Sequence, residues 1–136
     1  MLEIGTGSGY QAAILSRLVR TVFTVERIPA LARRAQQTLS EMGIRNVIQR
    51  MGDGSVGWSQ FAPYDGIVVT AGAPRIPESL VAQLGPGGRL VVPIGSEGGQ
   101  VLRIIERGTE GLREEETCLC SFVPLIGKEG WQGPDA

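Results

Sequence analysis

The stretch Met1-Leu2-Glu3-Ile4-Gly5-Thr6-Gly7-Ser8-Gly9-Tyr10 decides the fold. Its first four residues read as the end of a buried strand, three alternating glycines make a tight turn, and a helical pattern runs from Tyr10 to Val19. Strand, glycine turn and helix are half of a βαβ unit, from which parallel sheets are built. Glycines at 5, 7 and 9 let the backbone turn sharply and come close to a ligand. The helix that follows directs its unpaired N–H groups at the same place.

Outward from this stretch the alternation continues. Residues 21–25 are β-branched and aromatic, as a buried parallel strand should be; Glu26 closes it, and Pro29 suits the first turn of a helix. Leu31, Ala35, Leu39 and Met42 recur at helical spacing opposite Arg33, Arg34, Gln37 and Glu41, with Gly43 placed to end the helix. Strands are predicted at 46–50, 66–70 and 89–94, with a helix at 78–84. After Gly95 two strand-like runs, 101–106 and 117–123, are joined through Gly108 and Gly111 with no helix between them, which implies an antiparallel hairpin. The acidic run from Glu114 to Glu116 reads as a solvated strand start. The expected fold class is α/β: a Rossmann-like, doubly wound, mostly parallel sheet with helices on both faces and a C-terminal antiparallel hairpin edge, in a single domain over residues 1–136. The first strand is shorter than the usual five or six residues, so the chain is expected to start partway through a larger protein.

Composition narrows the function. With 136 residues, 42% of them hydrophobic and 20% charged, the chain suits one soluble domain. A net charge of -1 argues against binding along a phosphate backbone, and no run approaches the roughly 20 apolar residues that cross a bilayer. A cytoplasmic monomer with neither nucleic acid nor membrane as partner is expected. There is no histidine, which removes Ser-His and Cys-His nucleophile pairs and the commonest transition-metal ligand. Cys118 and Cys120 are spaced neither as a redox Cys-x-x-Cys nor as a zinc site. They read as reduced residues on one face of a strand, and no metal is expected.

In an open parallel sheet, ligands bind outside the carboxyl ends of the strands. Four such ends would converge here: Gly5 to Gly9, Glu26, Gly52-Asp53-Gly54, and Thr70-Ala71-Gly72-Ala73-Pro74. A dinucleotide loop, Gly-x-Gly-x-x-Gly, would need a small residue where Tyr10 stands; Gly-x-Gly-x-Gly preceded by Glu3 favours S-adenosylmethionine over NAD. No Gly-Lys-Ser/Thr follows to make a phosphate-binding P-loop. Glu26, 17 residues beyond Gly9, stands where an acidic residue accepts hydrogen bonds from ribose hydroxyls. Asp53 offers an acceptor to an adenine amino group, or else forms an ordinary Asp-Gly turn. The candidate cofactor set is Glu3, Gly5, Thr6, Gly7, Ser8, Gly9, Glu26, Arg27, Asp53 and Gly54. Trp58 and Trp131 are either packing residues or adenine neighbours.

Several segments carry a closer resemblance: Leu2 to Ala13, Val25-Glu26-Arg27-Ile28-Pro29, Gly52-Asp53-Gly54 with Gly57-Trp58, Ala62-Pro63-Tyr64-Asp65, Thr70 to Pro74, Leu84 to Leu90, Val92-Pro93-Ile94-Gly95, and Phe122-Val123-Pro124-Leu125-Ile126 with Gly130-Trp131. With these the chain resembles the protein-L-isoaspartate O-methyltransferases, which methylate the abnormal carboxylate of isoaspartyl residues in damaged proteins. The resemblance implies S-adenosylmethionine as methyl donor, S-adenosylhomocysteine as product, isoaspartyl proteins and peptides as substrates, and substrate contacts from Thr70, Ala71, Ala73 and Pro74. Two departures stand out. The family commonly has Ala-Ala-Ala-Pro where this chain has Ala71-Gly72-Ala73-Pro74. The family's Gly-Gln-Thr-Ile-Ser-like region, with its active-site hydroxyl, is expected upstream of Met1, so no catalytic residue is assigned. The chemistry tolerates the absence of histidine, because an isoaspartyl carboxylate with a pKa of roughly 4 is already ionised at neutral pH and needs no base. The alternatives are an inactive cofactor-binding remnant and a methyltransferase for a small molecule or RNA base. The Asn-Pro-Pro-Tyr-type motif of many nucleobase enzymes is absent after the fourth strand.

Overall fold

The structure is a computed structural model that describes residues 1–133. The elements run β1 (Leu2–Ile4), α1 (Tyr10–Leu15), β2 (Val22–Glu26), α2 (Pro29–Glu41), β3 (Val47–Met51), two 3-10 turns (Gly54–Val56 and Ser59–Phe61), β4 (Tyr64–Val69), α3 (Glu78–Ala82), β5 (Leu84–Ser96), β6 (Gly99–Gly108) and β7 (Gly111–Cys120). Seven strands form one sheet in the order β3-β2-β1-β4-β5-β6-β7. The first five pair in parallel and the last two are antiparallel additions. β1 is flanked by β2 on one side and β4 on the other, so strand order reverses beside it and a crevice opens at its carboxyl end.

Strand alternation divides the side chains between two faces. Leu2 and Ile4 turn to the side on which Val25, Ile67, Val69, Leu90 and Val92 join Leu80 of α3 in the main core. Their intervening neighbour Glu3, level with Thr24 in the register, turns to the opposite side, where Ala12 of α1 and Leu39 of α2 pack on Val22. Helices thus cover both faces. Pro29 opens α2, whose Ala32, Ala35 and Leu39 point inward, and Gly43 follows its end at φ +71°. None of the helices among the described residues is long and apolar enough to cross a membrane.

Several predicted boundaries shift; among the strands, β5 already starts at Leu84 instead of residue 89 and β6 extends over Gly99–Gly108. The first helix ends at Leu15 instead of Val19. Ser16 Oγ donates to Ala13 O at 2.6 Å, and the Asn46 amide donates to the carbonyls of Ser16, Val19 and Arg20, so side chains replace the last helical turn. The third helix stops at Ala82 because Leu84 already pairs with Tyr64 as the start of β5. The last strand occupies Gly111–Cys120 instead of 117–123, and it contains the acidic run. The run is solvent-exposed on the strand, as expected, and Arg103 of β6 pairs across the ladder with both Glu114 (2.8 Å) and Glu116 (3.3 Å). Phe122 and Val123 leave the sheet altogether.

Trp58 belongs to the core. Its ring lies edge-on to Phe23 at 5.8 Å and to Phe61 at 5.1 Å, its carbonyl accepts the Tyr64 hydroxyl, and the Arg50 guanidinium sits 5.7 Å from its ring centre.

Candidate active site

The glycine loop is held rigidly from below. Gly5 and Thr6 both donate to Val25 O, and the Thr70 hydroxyl reaches Gly5 O at 2.8 Å and Ile4 O at 3.0 Å. Under the loop a buried chain of side chains runs from the Thr6 hydroxyl to that of Thr24 (2.7 Å), and from Thr24 to Glu3 Oε1 (2.6 Å). Gln11 of α1 donates to Glu3 Oε2 at 3.0 Å. Glu3, wholly shielded from solvent, therefore ties β1, β2 and the start of α1 together beneath the loop.

Burial raises the Glu3 carboxyl above its ordinary value of 4.5, opposed by the hydrogen bonds from Thr24 and Gln11 and assisted by the charge of Glu26. The folded chain then holds this proton more tightly than the unfolded chain. Its contribution to stability is fully present below the unfolded value and is lost as pH rises through the folded one. Glu3→Gln, which cannot ionise, is expected to remove that loss. A denaturation series from about pH 4 to about pH 8 should show the variant gaining on the parent as pH rises; parallel profiles would contradict the assignment.

Above the loop lies a cavity of about 200 Å³. Gly5, Gly7, Glu26, Arg27, Gly54, Thr70 and Ala71 line it, so the structure brings half of the expected residues to one place. The Glu26 carboxylate, 7% exposed, accepts from Gly7 N (2.8 Å) and Ile28 N (3.0 Å), one backbone donor on each oxygen. Carboxylate oxygens have about two acceptor sites each, which leaves capacity on both. Ile28 and Leu31 supply an apolar wall beside it.

The remaining expected residues stand elsewhere. Glu3 and Thr6 lie beneath the loop; Gly9 is buried facing α2, where a side chain on it would meet Ala35 and Leu39; Ser8 is exposed. Asp53 does not line the cavity: Oδ1 accepts from Ser55 N and Oγ, and Oδ2 accepts from Lys128 N at 2.8 Å. In the 70–74 segment, Thr70 N bonds Ile4 O, Gly72 N bonds Val123 O and Ala73 N bonds Pro93 O. Those donors are engaged within the protein. Ala71 lines the cavity, whereas Ala73 is fully buried and Pro74 half-buried outside it.

Sequence reasoning missed the opposite wall. After β7 the chain crosses the carboxyl ends of the strands, and Val123, Pro124, Leu125 and Ile126 close the cavity from that side. Gly72 grips this segment at Val123 O and Leu125 N, and it accepts the Trp131 indole N–H at 3.1 Å. Asp53 and Ser55 hold its far end through Lys128 N and Glu129 N. The only signal in the sequence was the Phe-Val-Pro-Leu resemblance.

Comparison with known proteins agrees with this geometry. The protein-L-isoaspartate(D-aspartate) O-methyltransferase family model matches residues 1–130. A protein-L-isoaspartate O-methyltransferase of Syntrophotalea carbinolica is 56% identical over 132 residues, 96% of this chain and 61% of the relative. One from Trichlorobacter lovleyi is 54% identical, covering 97% of this chain and 61% of its own length. The chain thus spans about three-fifths of these relatives. A solved protein-L-isoaspartate O-methyltransferase superposes with a TM-score of 0.87 at 36% identity, over 95% of this chain and 42% of that one. A Plasmodium falciparum structure, solved in complex with S-adenosyl-L-homocysteine, superposes at 0.78 and 26% identity over 92% of this chain and 64% of that one. Matching from the glycine loop to the crossing segment, the chain belongs to the protein-L-isoaspartate(D-aspartate) O-methyltransferase family.

Proposed function

We propose that this chain binds S-adenosylmethionine in the loop cavity and forms the methyl-transfer centre of a cytoplasmic repair enzyme acting on isoaspartyl residues of damaged proteins. The observation that carries the reading is Glu26, a carboxylate fixed at the cavity edge by Gly7 and Ile28 with acceptor capacity to spare. A ribose diol needs such an acceptor. Ile28, Leu31, Val123 and Leu125 offer apolar contact to a base, and open space beside Gly7, with nothing within 4 Å of where its side chain would be, leaves room for a ligand to approach the backbone. The residues fit the cofactor.

The cofactor supplies an electrophilic methyl on sulfur. The protein's part is to hold a substrate carboxylate in line with it and to keep water away, which is orientation without acid-base catalysis. Ala71, the one of the expected substrate residues beside Thr70 that lines the cavity, borders the place where a substrate would approach.

The test is transfer of labelled methyl from S-adenosylmethionine to an isoaspartyl peptide, with the normal aspartyl peptide as control. Transfer to the isoaspartyl peptide alone is expected. Because the chain spans three-fifths of its relatives, a cofactor-binding unit that needs further residues for transfer is the second reading; S-adenosylhomocysteine binding without transfer would select it.

A further inference from the structure

The geometry points to Gln100 as a positioning residue that holds the crossing segment over the cavity, and to Gly72 as the position whose missing side chain admits it. Gln100, 3% exposed, stands near the start of β6. Its Nε2 donates to Ser96 O at 2.7 Å, and its Oε1 accepts from Phe122 N at 2.7 Å. Phe122 immediately precedes the four residues that wall the cavity. The side chain therefore ties the β5–β6 turn to the point where the chain leaves the sheet.

Gly72 grips the same segment from the other side, bonding Val123 O at 2.7 Å and Leu125 N at 2.8 Å. A Cβ on Gly72 would lie 2.8 Å from Gln100 Cδ and 3.0 Å from its Cγ and Nε2. Such distances are too short for either side chain to keep its place. The backbone of Gly72 is outside the left-handed region, so Gln100, and not conformational strain, is what opposes an alanine there. Gln100 is buried and fixed at both polar atoms, so it cannot swing aside without giving up Phe122. Gly72 and the glutamine on β6 are thus one device. It acts on the cavity through the backbone of 122–126, without Gln100 lining the cavity.

The experiment is a double-mutant cycle read by amide hydrogen exchange at Phe122 and Leu125, with affinity for S-adenosylhomocysteine as a second readout; only this second readout rests on the cofactor reading above. Gln100→Met keeps the side-chain volume and loses the acceptor. It is expected to speed exchange at Phe122 and Leu125 by about threefold to tenfold, the worth of one lost hydrogen bond, while amides of β4 keep their parent rates. Gly72→Ala should do the same at Leu125 when Gln100 is present. In a Gln100→Ala background it should add nothing, since the methyl enters vacated space. Additive effects, or unchanged exchange at Leu125 in Gln100→Met, would overturn the proposal. The variants that speed exchange are expected to weaken S-adenosylhomocysteine binding by a similar factor; unchanged affinity would overturn the wall-positioning role. Failure of the parent chain to bind S-adenosylhomocysteine would overturn the cofactor reading, and the exchange cycle would still decide the device.

Discussion

Gly5→Ala is expected to destabilise the chain by about 3 kcal/mol and to eliminate binding in the loop cavity. Two costs combine. At φ +96° a side chain is strained, by about 1–3 kcal/mol. Its Cβ would also stand 2.3 Å from the Thr70 hydroxyl oxygen, which is anchored on Ile4 O and Gly5 O and has no free direction of retreat. Overpacking of this kind costs a further 1–3 kcal/mol, roughly. Gly7→Ala is the control, because its φ of +56° carries strain but nothing lies within 4 Å of the added methyl. It should cost about 1–2 kcal/mol. Chemical denaturation of the two variants separates the terms. In a Thr70→Ala background the Gly5→Ala penalty should shrink toward that of Gly7→Ala; equal penalties with Thr70 in place would show that the β4 contact does not constrain the loop.

The same pair of residues explains why so much of the fold was legible. Alternating glycines between an apolar strand and a helix leave few other arrangements, and Leu2, Ile4, Val25 and Ile67 fall where such a strand must bury its apolar side chains. The parallel order, the hairpin through Gly108 and Gly111, and helices on both faces follow from local pattern. Side-chain to backbone bonds between distant segments were not legible. Asn46 shortens α1 from about 30 residues away, by bonds to the carbonyls of Ser16, Val19 and Arg20. Asp53 is the clearest case. An Asp between two glycines at a strand end invites a ligand role or a simple turn; it does make the turn, accepting from Ser55 N, but it also holds Lys128 N across 75 positions of sequence. No spacing rule reports a contact made by one carboxylate with one backbone N–H of a segment that has no periodicity. For the same reason the 123–126 wall could be recognised only by resemblance.

Glu26→Ala is expected to weaken S-adenosylhomocysteine binding by about 100-fold, and one carboxylate serves two separable functions. Its oxygens already accept from Gly7 N and Ile28 N, fixing the loop against the start of α2 before any ligand arrives. Losing those bonds leaves two backbone donors at the edge of the cavity and should lower stability by about 1–3 kcal/mol. Losing the acceptor for a ribose diol removes charge-assisted bonds of about 1.5–3 kcal/mol, which is the larger part of the affinity change. Glu26→Gln distinguishes the two. The amide keeps one carbonyl oxygen and turns an NH2 toward one of the backbone donors, so loop anchoring is half retained while the charge is lost. It should bind about tenfold more weakly than the parent, with a stability loss smaller than that of Glu26→Ala. Calorimetric titration alongside denaturation reads both quantities on the same variants. If Glu26→Ala loses stability but keeps its affinity, the carboxylate only shapes the loop and the ribose lies elsewhere. If affinity falls while stability holds, the acceptor capacity left on Glu26 is what the ligand uses, and the bonds to Gly7 and Ile28 serve to aim it.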